Sequence, residues 1–299
     1  MTTPTLKIGL PAGSLADPNR GGSLIALLKH AGFPTKGYDK GGPSSFTLTP
    51  FLVGWDGRPQ EFGAQLALGE VDLAIGGDDW VRERSLEYEY EYGETLKLKK
   101  VLSLQRGDVR IVIIADCKVD SCDAWLKELL AKKPLVSAVS EMPYLALEWF
   151  QTKAAALGFG ESHKAFSVQK YRTPPRNATG IVIYESWGKS ETKVKQGAVD
   201  FGLEITQTGS AIANYGLHIV DEVMNSEAGI WVNPVLLTDP VKLDLARMFL
   251  LNLYGSIYAE NKVLLTFNAK KSDVEKLLVY LREHRLFGDE PTMKEGVHF

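Results

Sequence analysis

Apolar runs of two kinds alternate along the chain and predict an α/β fold. Short runs bounded by turn residues, such as residues 6–10 (LKIGL) and 180–184 (GIVIY), are typical of strands buried in a sheet. Longer segments with apolar residues three and four positions apart, such as residues 23–30 and 144–157, predict helices. Because strand and helix patterns follow each other in turn, we expect a mostly parallel sheet with helices on its faces.

The remaining patterned segments are assigned in the same way. The predicted strands are residues 46–53, 71–75, 101–115 (two strands around a Gly-Asp turn), 135–143, 166–168, 198–205, 218–223, 228–233 and 262–267. The predicted helices begin near Pro59, Trp80 and Ser210 and cover residues 123–133, 240–258 and 272–283, the last capped by Ser272.

Residues 86–94 (LEYEYEYGE) alternate tyrosine with glutamate. A period of two predicts a strand with three tyrosines on one face. Glutamates on the opposite face discourage aggregation through a sheet edge. We therefore expect an edge strand or an interface, with no chemistry assigned to it.

The β-branched second half of residues 101–115 marks the start of a second lobe, and the chain is predicted to cross back near Gly197. Residues 1–104 and 197–238 then form a discontinuous first lobe, and residues 105–196 form the second. Residues 239–299 form a C-terminal helix and tail. A ligand is expected in the cleft between the lobes, because open α/β folds bind ligands beyond the carboxyl ends of their strands.

Composition excludes several classes of partner. The chain has 299 residues, of which 44% are hydrophobic and 24% charged, with a net charge of −3. This charge provides no field for nucleic acid or an anionic membrane. Without a signal-like or membrane-spanning apolar run, a cytoplasmic protein is expected. Cys117 and Cys122 lack the companions of a zinc site or disulfide framework and are interpreted as incidental thiols.

A strand, turn and helix pattern at residues 198–217 carries the clearest chemistry. The turn consists of Thr206, Gln207, Thr208, Gly209 and Ser210. Its hydroxyls and the start of the following helix are suited to a phosphate, and Gly209 allows close approach. Glu191 and Glu204 flank it and suit the hydroxyls of a ribose or a Mg²⁺ ion. Turns of this composition also occur simply as helix caps, so the turn alone leaves both readings open.

Two other loops contain candidate ligand contacts. The loop after the first strand (PAGSLADPNRGG) includes Gly13 and the cation Arg20, and it could close over an anion or be a solvent-exposed insertion. Asp79 follows a buried strand and the pair Gly76-Gly77, a position where ligands bind in α/β sheets. The neighbouring Asp78 is equally suited to capping a helix.

Four segments resemble the ATP phosphoribosyltransferase family in sequence and order. They are LPAGSL followed by LLKHAGF, then RPQEFGAQLALGEVDLAIGGDDWV, GKSE and GAVDFGLEITQTGSAIANYGL. The resemblance implies a two-lobed α/β core like that of periplasmic binding proteins, followed by a partial ferredoxin-like α+β segment. It also implies a homo-oligomer, at least a dimer.

The resemblance assigns roles residue by residue. It implies that the turn from Glu204 to Ala211 holds the 5′-phosphate of phosphoribosyl pyrophosphate, and that Arg58 and Asp79 correspond to family motif residues. The chain departs from the family pattern at several positions: Ala12 stands where lysine is usual, Glu204 where aspartate is usual, and Ala211 where a hydroxyl is usual. In addition, Glu61-Phe62-Gly63 replaces the tripeptide Asp-Ile-Pro, and Ala74 replaces a glycine. Each lost contact to phosphate would cost about 1.5–3 kcal/mol.

The implied activity is Mg²⁺-dependent transfer of a phosphoribosyl group to N1 of the adenine of ATP or to a related nucleotide, with release of pyrophosphate. Arg20 and Arg58 would stabilise the departing pyrophosphate, and Glu191 and Glu204 would bind the ribose or the metal. A non-catalytic homologue that binds a nucleotide in the cleft is the alternative, which the missing lysine favours. A lyase acting on a nucleoside-like molecule is a third reading. The tail is too short for a complete regulatory domain, so feedback control by histidine is not expected.

Overall fold

The computed structural model describes residues 4–13, 15–16, 23–118, 120–266 and 268–286. Two sheets form its framework, and both helix and strand assignments follow the predicted alternation for most of the chain. Residues up to Tyr258 form one unit and the tail from Ala259 a second. The two-lobed α/β core expected from the sequence is confirmed within the first unit.

The first sheet has five strands in the order β4-β1-β5-β13-β6. Its strands are β1 (Leu6–Gly9), β4 (Phe51–Trp55), β5 (Leu73–Gly77), β6 (Lys99–Ser103) and β13 (Ala228–Val232). The first three run parallel, and β13 is antiparallel to both of its neighbours. A separate two-stranded ribbon joins β2 (Thr35–Lys36) to β3 (Ser45–Phe46).

The second sheet has six strands in the order β12-β7-β11-β8-β10-β9. They are β7 (Val109–Ala115), β8 (Leu135–Ser140), β9 (Phe166–Lys170), β10 (Gly180–Glu185), β11 (Phe201–Thr206) and β12 (His218–Ser226). The strands from β11 to β9 run parallel, whereas β7 is antiparallel to both β11 and β12.

Helices cover both sheets. They are α1 (Leu24–His30), α2 (Phe62–Ala67), α3 (Asp78–Glu87), α4 (Cys122–Lys132), α5 (Pro143–Ala156), α6 (Ser190–Lys195), α7 (Ser210–Asn214) and α8 (Pro240–Ala259). A further helix, α9 (Val274–Glu283), belongs to the tail. In the first lobe, α1 and α8 pack on one face and α2 on the other. In the second lobe, α4 and α5 cover one face, and α6 and α7 cover the other.

The chain returns to the first sheet at Glu227, thirty residues later than the crossing predicted near Gly197. Residues 201–226 form β11 and β12, which belong to the second sheet. The pairing of β11 with β8 joins segments more than sixty residues apart, so local sequence pattern does not reveal it. The predicted boundary at 197–238 is therefore corrected, and the phosphate-type turn belongs to the second lobe.

The helix α8 belongs with the first lobe and is not part of a separate C-terminal domain as predicted. Phe249 of α8 lies 4.7 Å from Phe33 and 6.0 Å from Phe51 between ring centroids. Leu253 and Ile257 extend the same buried face. These contacts fix the carboxyl-terminal helix of the core on the sheet face that α1 also covers.

Residues 86–92 are helical, and the edge strand predicted for residues 86–94 is wrong. The helix α3 runs to Glu87 and continues as a π-helical turn over Tyr88–Tyr92, ending at Gly93 with φ of 66°. Neither glycine nor proline interrupts the segment between Asp78 and Gly93, and glutamate favours helix over strand. Tyr88 and Tyr92 therefore lie on one helix face, with ring centroids 5.4 Å apart, whereas Tyr90 packs on Tyr144 and Phe166.

The predicted strand at residues 262–267 is also not formed, because the described residues 262–266 pair with no strand. The described tail contains the helix α9, preceded by a short 3₁₀ turn at Lys271–Asp273. Its capping position is Asp273 instead of Ser272. The described part of the tail thus supplies no α+β segment of the ferredoxin type.

The helix α3 connects the two lobes directly. It begins at the carboxyl end of β5 in the first lobe, yet Leu86 is buried in the core of the second lobe. The buried carboxylate of Glu83 accepts the backbone N–H groups of Tyr144 (3.0 Å) and Leu145 (2.7 Å), in the first turn of α5. A side chain of the first lobe therefore satisfies the exposed donors at a helix start in the second lobe.

Candidate functional site

The turn between β11 and α7 is held by hydrogen bonds among its own residues. Gly209 adopts φ of 78°, a left-handed conformation that favours glycine. Its N–H donates to Thr206 Oγ1 at 2.8 Å, and the hydroxyls of Thr208 and Ser210 lie 2.5 Å apart. The helix α7 has five residues, so its dipole is small and the hydroxyls and nearby side chains must carry most of any anion binding.

Glu204 stands just before this turn, and Glu191 is close enough to interact with it electrostatically. Burial, with the charges of Glu191 and Glu141, raises the pKa of Glu204 to about 7, and the Ser190 hydroxyl opposes the shift. Glu204 lies on β11, and Glu191 lies in the first turn of α6. At neutral pH the carboxyl group of Glu204 is thus close to half protonated.

Glu141, which the sequence reading missed, completes this acidic group. It follows β8, where no motif singled it out. Burial raises the pKa of its carboxyl, and the backbone N–H of Gly188 together with the charges of Arg58 and Lys193 opposes that rise. Glu141, Glu191 and Glu204 therefore interact electrostatically, and Arg58 and Lys193 are the cations that interact with Glu141.

The loop that carries Trp187 and Gly188 is held in place by Lys193 of α6. Its ammonium group donates to the backbone carbonyl of Gly188 at 2.8 Å and contacts the hydroxyl of buried Ser186. It also lies 4.8 Å from the ring centroid of Tyr171. The loop therefore has a defined shape next to the acidic group.

Two adjoining cavities occupy the cleft between the lobes. They share Val109, Gln207 and Ser226 and have volumes of about 370 and 200 Å³. The segments that cross between the lobes meet here, since the N–H of Leu104 donates to the carbonyl of Ala228 at 2.9 Å. The smaller cavity is lined by residues of both lobes, as expected for a ligand site in this fold.

Asp79 is buried at the wall of the smaller cavity, in the first turn of α3. Burial raises the pKa of its carboxyl, while the N–H of Trp80 and the hydroxyl of Ser226 favour its charged form. The backbone N–H of Asp79 donates to that same hydroxyl at 3.1 Å. Ser226, at the return crossing, thus fixes Asp79 at the cleft.

The other candidates occupy different positions. Arg58 is exposed, and its guanidinium lies 5.7 Å from the ring centroid of Trp187. Gly13 is exposed with φ of 93° and does not line either cavity, although Ala12 lines the smaller one. Arg20 lies outside the described residues.

Arg110 is a further cation at the turn that the sequence reading missed. It lies on β7 directly opposite Thr206 in the sheet register and lines the larger cavity. Its Nη1 lies 3.3 Å from Glu222 Oε2, and a Cβ added at Gly209 would be 3.9 Å from its Nη2. The sequence pattern gave no sign of this, because Arg110 lies in a strand otherwise rich in β-branched residues. Only the pairing of β7 with β11 brings it beside the turn.

No group of three or more histidine, cysteine, aspartate or glutamate side chains is arranged as a metal site within the described ranges. The metal contact predicted for Glu191 and Glu204 therefore stays a prediction. In the part of the chain that the structure describes, no helix is both long and apolar enough to span a membrane.

Comparison with known proteins agrees with this architecture. The family model described as HisG, ATP phosphoribosyltransferase, matches residues 58–250. A curated ATP phosphoribosyltransferase from Pelodictyon phaeoclathratiforme is 26% identical over 92% of this chain and 80% of its own length. Another from Geotalea daltonii is 29% identical over 88% of this chain and 77% of its own.

A solved structure shares the fold. The ATP phosphoribosyl transferase (HisG:HisZ) complex from Thermotoga maritima contains a chain that aligns with a TM-score of 0.59 at 18% identity. The alignment covers 86% of this chain and 100% of that chain.

Proposed function

This chain belongs to the ATP phosphoribosyltransferase family, and from that premise we propose that it transfers the phosphoribosyl group of phosphoribosyl pyrophosphate to N1 of the adenine of ATP, the first step of histidine biosynthesis. The carbon–oxygen bond at C1 of the ribose breaks with its electron pair on the departing pyrophosphate, and a nitrogen–carbon bond forms to adenine N1. The family match supports the reaction class. The grouping of Glu204 and Glu191 with the turn Thr206–Ser210, whose residue Gln207 lines both cavities, is the observation that carries the assignment of the donor site.

In this proposal the turn binds the 5′-phosphate. The hydroxyls of Thr208 and Ser210, which now contact each other, donate to the phosphate oxygens. Arg110, opposite Thr206, adds a positive charge beside the turn. Gln207, which lines both cavities, contributes an amide near the cleft.

Glu191 and Glu204 bind the two ribose hydroxyls. A carboxylate accepts a hydrogen bond from a hydroxyl, and a protonated carboxyl can donate one. Because the pKa of Glu204 is about 7, this side chain can take either role near neutral pH. The charged forms of these carboxyls stabilise the positive charge that develops on the ribose ring in the transition state.

Arg58, and Arg20 in the first loop, stabilise the negative charge on the departing pyrophosphate. The exposed position of Arg58 at the cleft mouth leaves its guanidinium available for this role. Asp79 in the cleft wall positions the acceptor side of the site.

The residues present fit a Mg²⁺ ion that is held mainly by substrate. Glu191 and Glu204 offer two neighbouring carboxylates, and this ion is commonly bound by one or two carboxylates together with substrate phosphates. When bound, Mg²⁺ neutralises charge on the pyrophosphate as it leaves.

The test is an assay of the purified protein with Mg²⁺ and phosphoribosyl pyrophosphate, with and without ATP. Pyrophosphate release and a nucleotide with the mass of phosphoribosyl-ATP are expected. Release only with another acceptor would show a different substrate. Gel filtration and light scattering test the proposed homo-oligomer, for which we expect at least a dimer.

A non-catalytic nucleotide-binding protein is the second candidate, and Ala12 is the observation that favours it. Ala12 puts a methyl group on the wall of the smaller cavity at the position where the family has a lysine. The same assay separates the two candidates, because a sensor would bind nucleotide without releasing pyrophosphate.

A further inference from the structure

Trp187 presents an exposed aromatic ring at the cleft mouth, and no packing contact in the fold requires this ring to be exposed. Of the six tryptophans, all of which the structure describes, Trp187 alone is exposed, with 51% of its surface accessible. Burying an aromatic ring is strongly favourable, so a ring left half in solvent on a well-held loop is a candidate contact surface.

The ring of Trp187 is already paired with one from the other lobe. Trp80 lies parallel to it, with ring centroids 6.1 Å apart and an interplanar angle of 11°. Trp80 also lines the smaller cavity, so the stack extends from the cavity wall to the surface. Arg58 lies close to the same indole ring.

The loop that carries Trp187 also reaches the acidic group. Its next residue, Gly188, donates its N–H to Glu141, and Ser190 lies beside Glu204. A planar group stacked on Trp187 would therefore lie near the carboxylates that the proposed function assigns to the ribose. Transfer requires this proximity, because the attacking nitrogen must come within about 3–3.5 Å of the ribose carbon.

We propose that Trp187 is the stacking surface for the purine base of the acceptor nucleotide, an inference that rests on the proposed function. The parallel Trp80 ring and the anchored loop hold this surface in one orientation, which lowers the entropic cost of binding a base. Trp187 is thus a specificity-determining residue for the acceptor and does not contact the phosphoribosyl donor.

The test compares the wild-type protein with W187A and W187F. Substitution by alanine should raise the dissociation constant for ATP by about 5- to 150-fold, the range that stacking of one base on an aromatic ring contributes. W187F should restore most of the affinity. Calorimetric titration with inorganic tripolyphosphate, which lacks a base, should give the same affinity for both variants and the wild type.

The steady-state constants give an independent readout. For W187A we expect a raised KM for ATP and an unchanged KM for phosphoribosyl pyrophosphate, a split that a loss of folding or of lobe packing would not produce. The variant Y92A, which removes an exposed ring on the π-helical turn, is the control and should leave both constants unchanged.

Failure of this inference and failure of the proposed function have different signatures. Product formation with an unchanged ATP constant in W187A would overturn the stacking role and leave the function intact. Weakened ATP binding in W187A without any product in the wild type would support the stacking role and reject the transferase. A wild-type protein that binds no ATP would overturn both.

Discussion

Glu83 and Tyr144 come from different lobes, yet the carboxylate of Glu83 accepts the backbone N–H of Tyr144 at 3.0 Å. The bond lies in the interior, where burial raises the pKa of Glu83 from 4.5 to about 8 in spite of the two N–H donors. The contact between the lobes therefore contains a group whose charge changes within the accessible pH range.

The pH dependence of stability should reveal Glu83. A carboxyl group with a raised pKa in the folded state contributes stability that is fully present below its unfolded pKa and is lost as the pH rises through the folded pKa. For Glu83 this window extends from about pH 4.5 to about pH 8. We expect the free energy of unfolding of the wild type, relative to that of E83Q, to fall across this window.

Urea unfolding at pH 5, 7 and 8.5 measures this difference, and parallel profiles for the two proteins would contradict it. E83A, which leaves the two N–H groups of α5 without their acceptor, should lose about 1–3 kcal/mol of stability at pH 5.

The left-handed conformation of Gly209 should make G209A costly to both stability and donor binding. An alanine at φ of 78° costs about 1–2 kcal/mol, and its Cβ would lie 3.3 Å from Ile219 Cδ1. G197A is the matched control, because Gly197 has φ of 65° and open space around it. Both variants should lose similar stability in urea unfolding, while only G209A weakens binding of phosphoribosyl pyrophosphate.

The Glu204 carboxyl should make donor affinity pH-dependent between pH 6 and 8. Its charged form predominates above its pKa of about 7, so an interaction that needs the carboxylate strengthens as the pH rises through that value. Its contribution to folding has the opposite sign and declines between pH 4.5 and 7. KM for phosphoribosyl pyrophosphate is the measurement.

The donor's own phosphates also titrate in this range, and E204Q shows their effect alone. KM for phosphoribosyl pyrophosphate should therefore depend less on pH in E204Q than in the wild type. Identical profiles for wild type and E204Q would exclude Glu204 from the donor site.

Arg110 should contribute to donor binding through its charge beside the turn. R110M should raise the dissociation constant for phosphoribosyl pyrophosphate by about tenfold or more, since a hydrogen bond to a charged group contributes about 1.5–3 kcal/mol. R247M is the control, because Arg247 also pairs with a carboxylate at 3.3 Å but lies exposed on α8. Equal effects of the two substitutions, measured by calorimetry, would reject the assignment.

Local pattern predicted most helices and strands correctly because each covered element presents a regular apolar face. The failure at residues 86–94 has a physical reason. Tyr90 packs on Tyr144 and Phe166 of the other lobe. The alternation of tyrosine and glutamate does not distinguish a helix with this contact from a strand with one aromatic face. The uninterrupted run from Asp78 to Gly93 was the signal for helix.

The candidate site divides in the same way. Glu191, Glu204 and the turn could be predicted because a motif in the sequence joins them. Glu141 and Arg110 could not, because each reaches the site through strand pairing with residues more than sixty positions away.

The helix α3 has a mechanical consequence for the whole core. At about 1.5 Å per residue it is a rigid helix roughly 15 Å long, with Asp79 at the cleft end and Leu86 buried in the opposite lobe. A displacement of Asp79 by a ligand is therefore expected to move α3 and, through Glu83, the start of α5. Opening of the cleft and movement of the second lobe are therefore coupled, so occupancy of the cleft is expected to restrict the motion of the two lobes relative to each other.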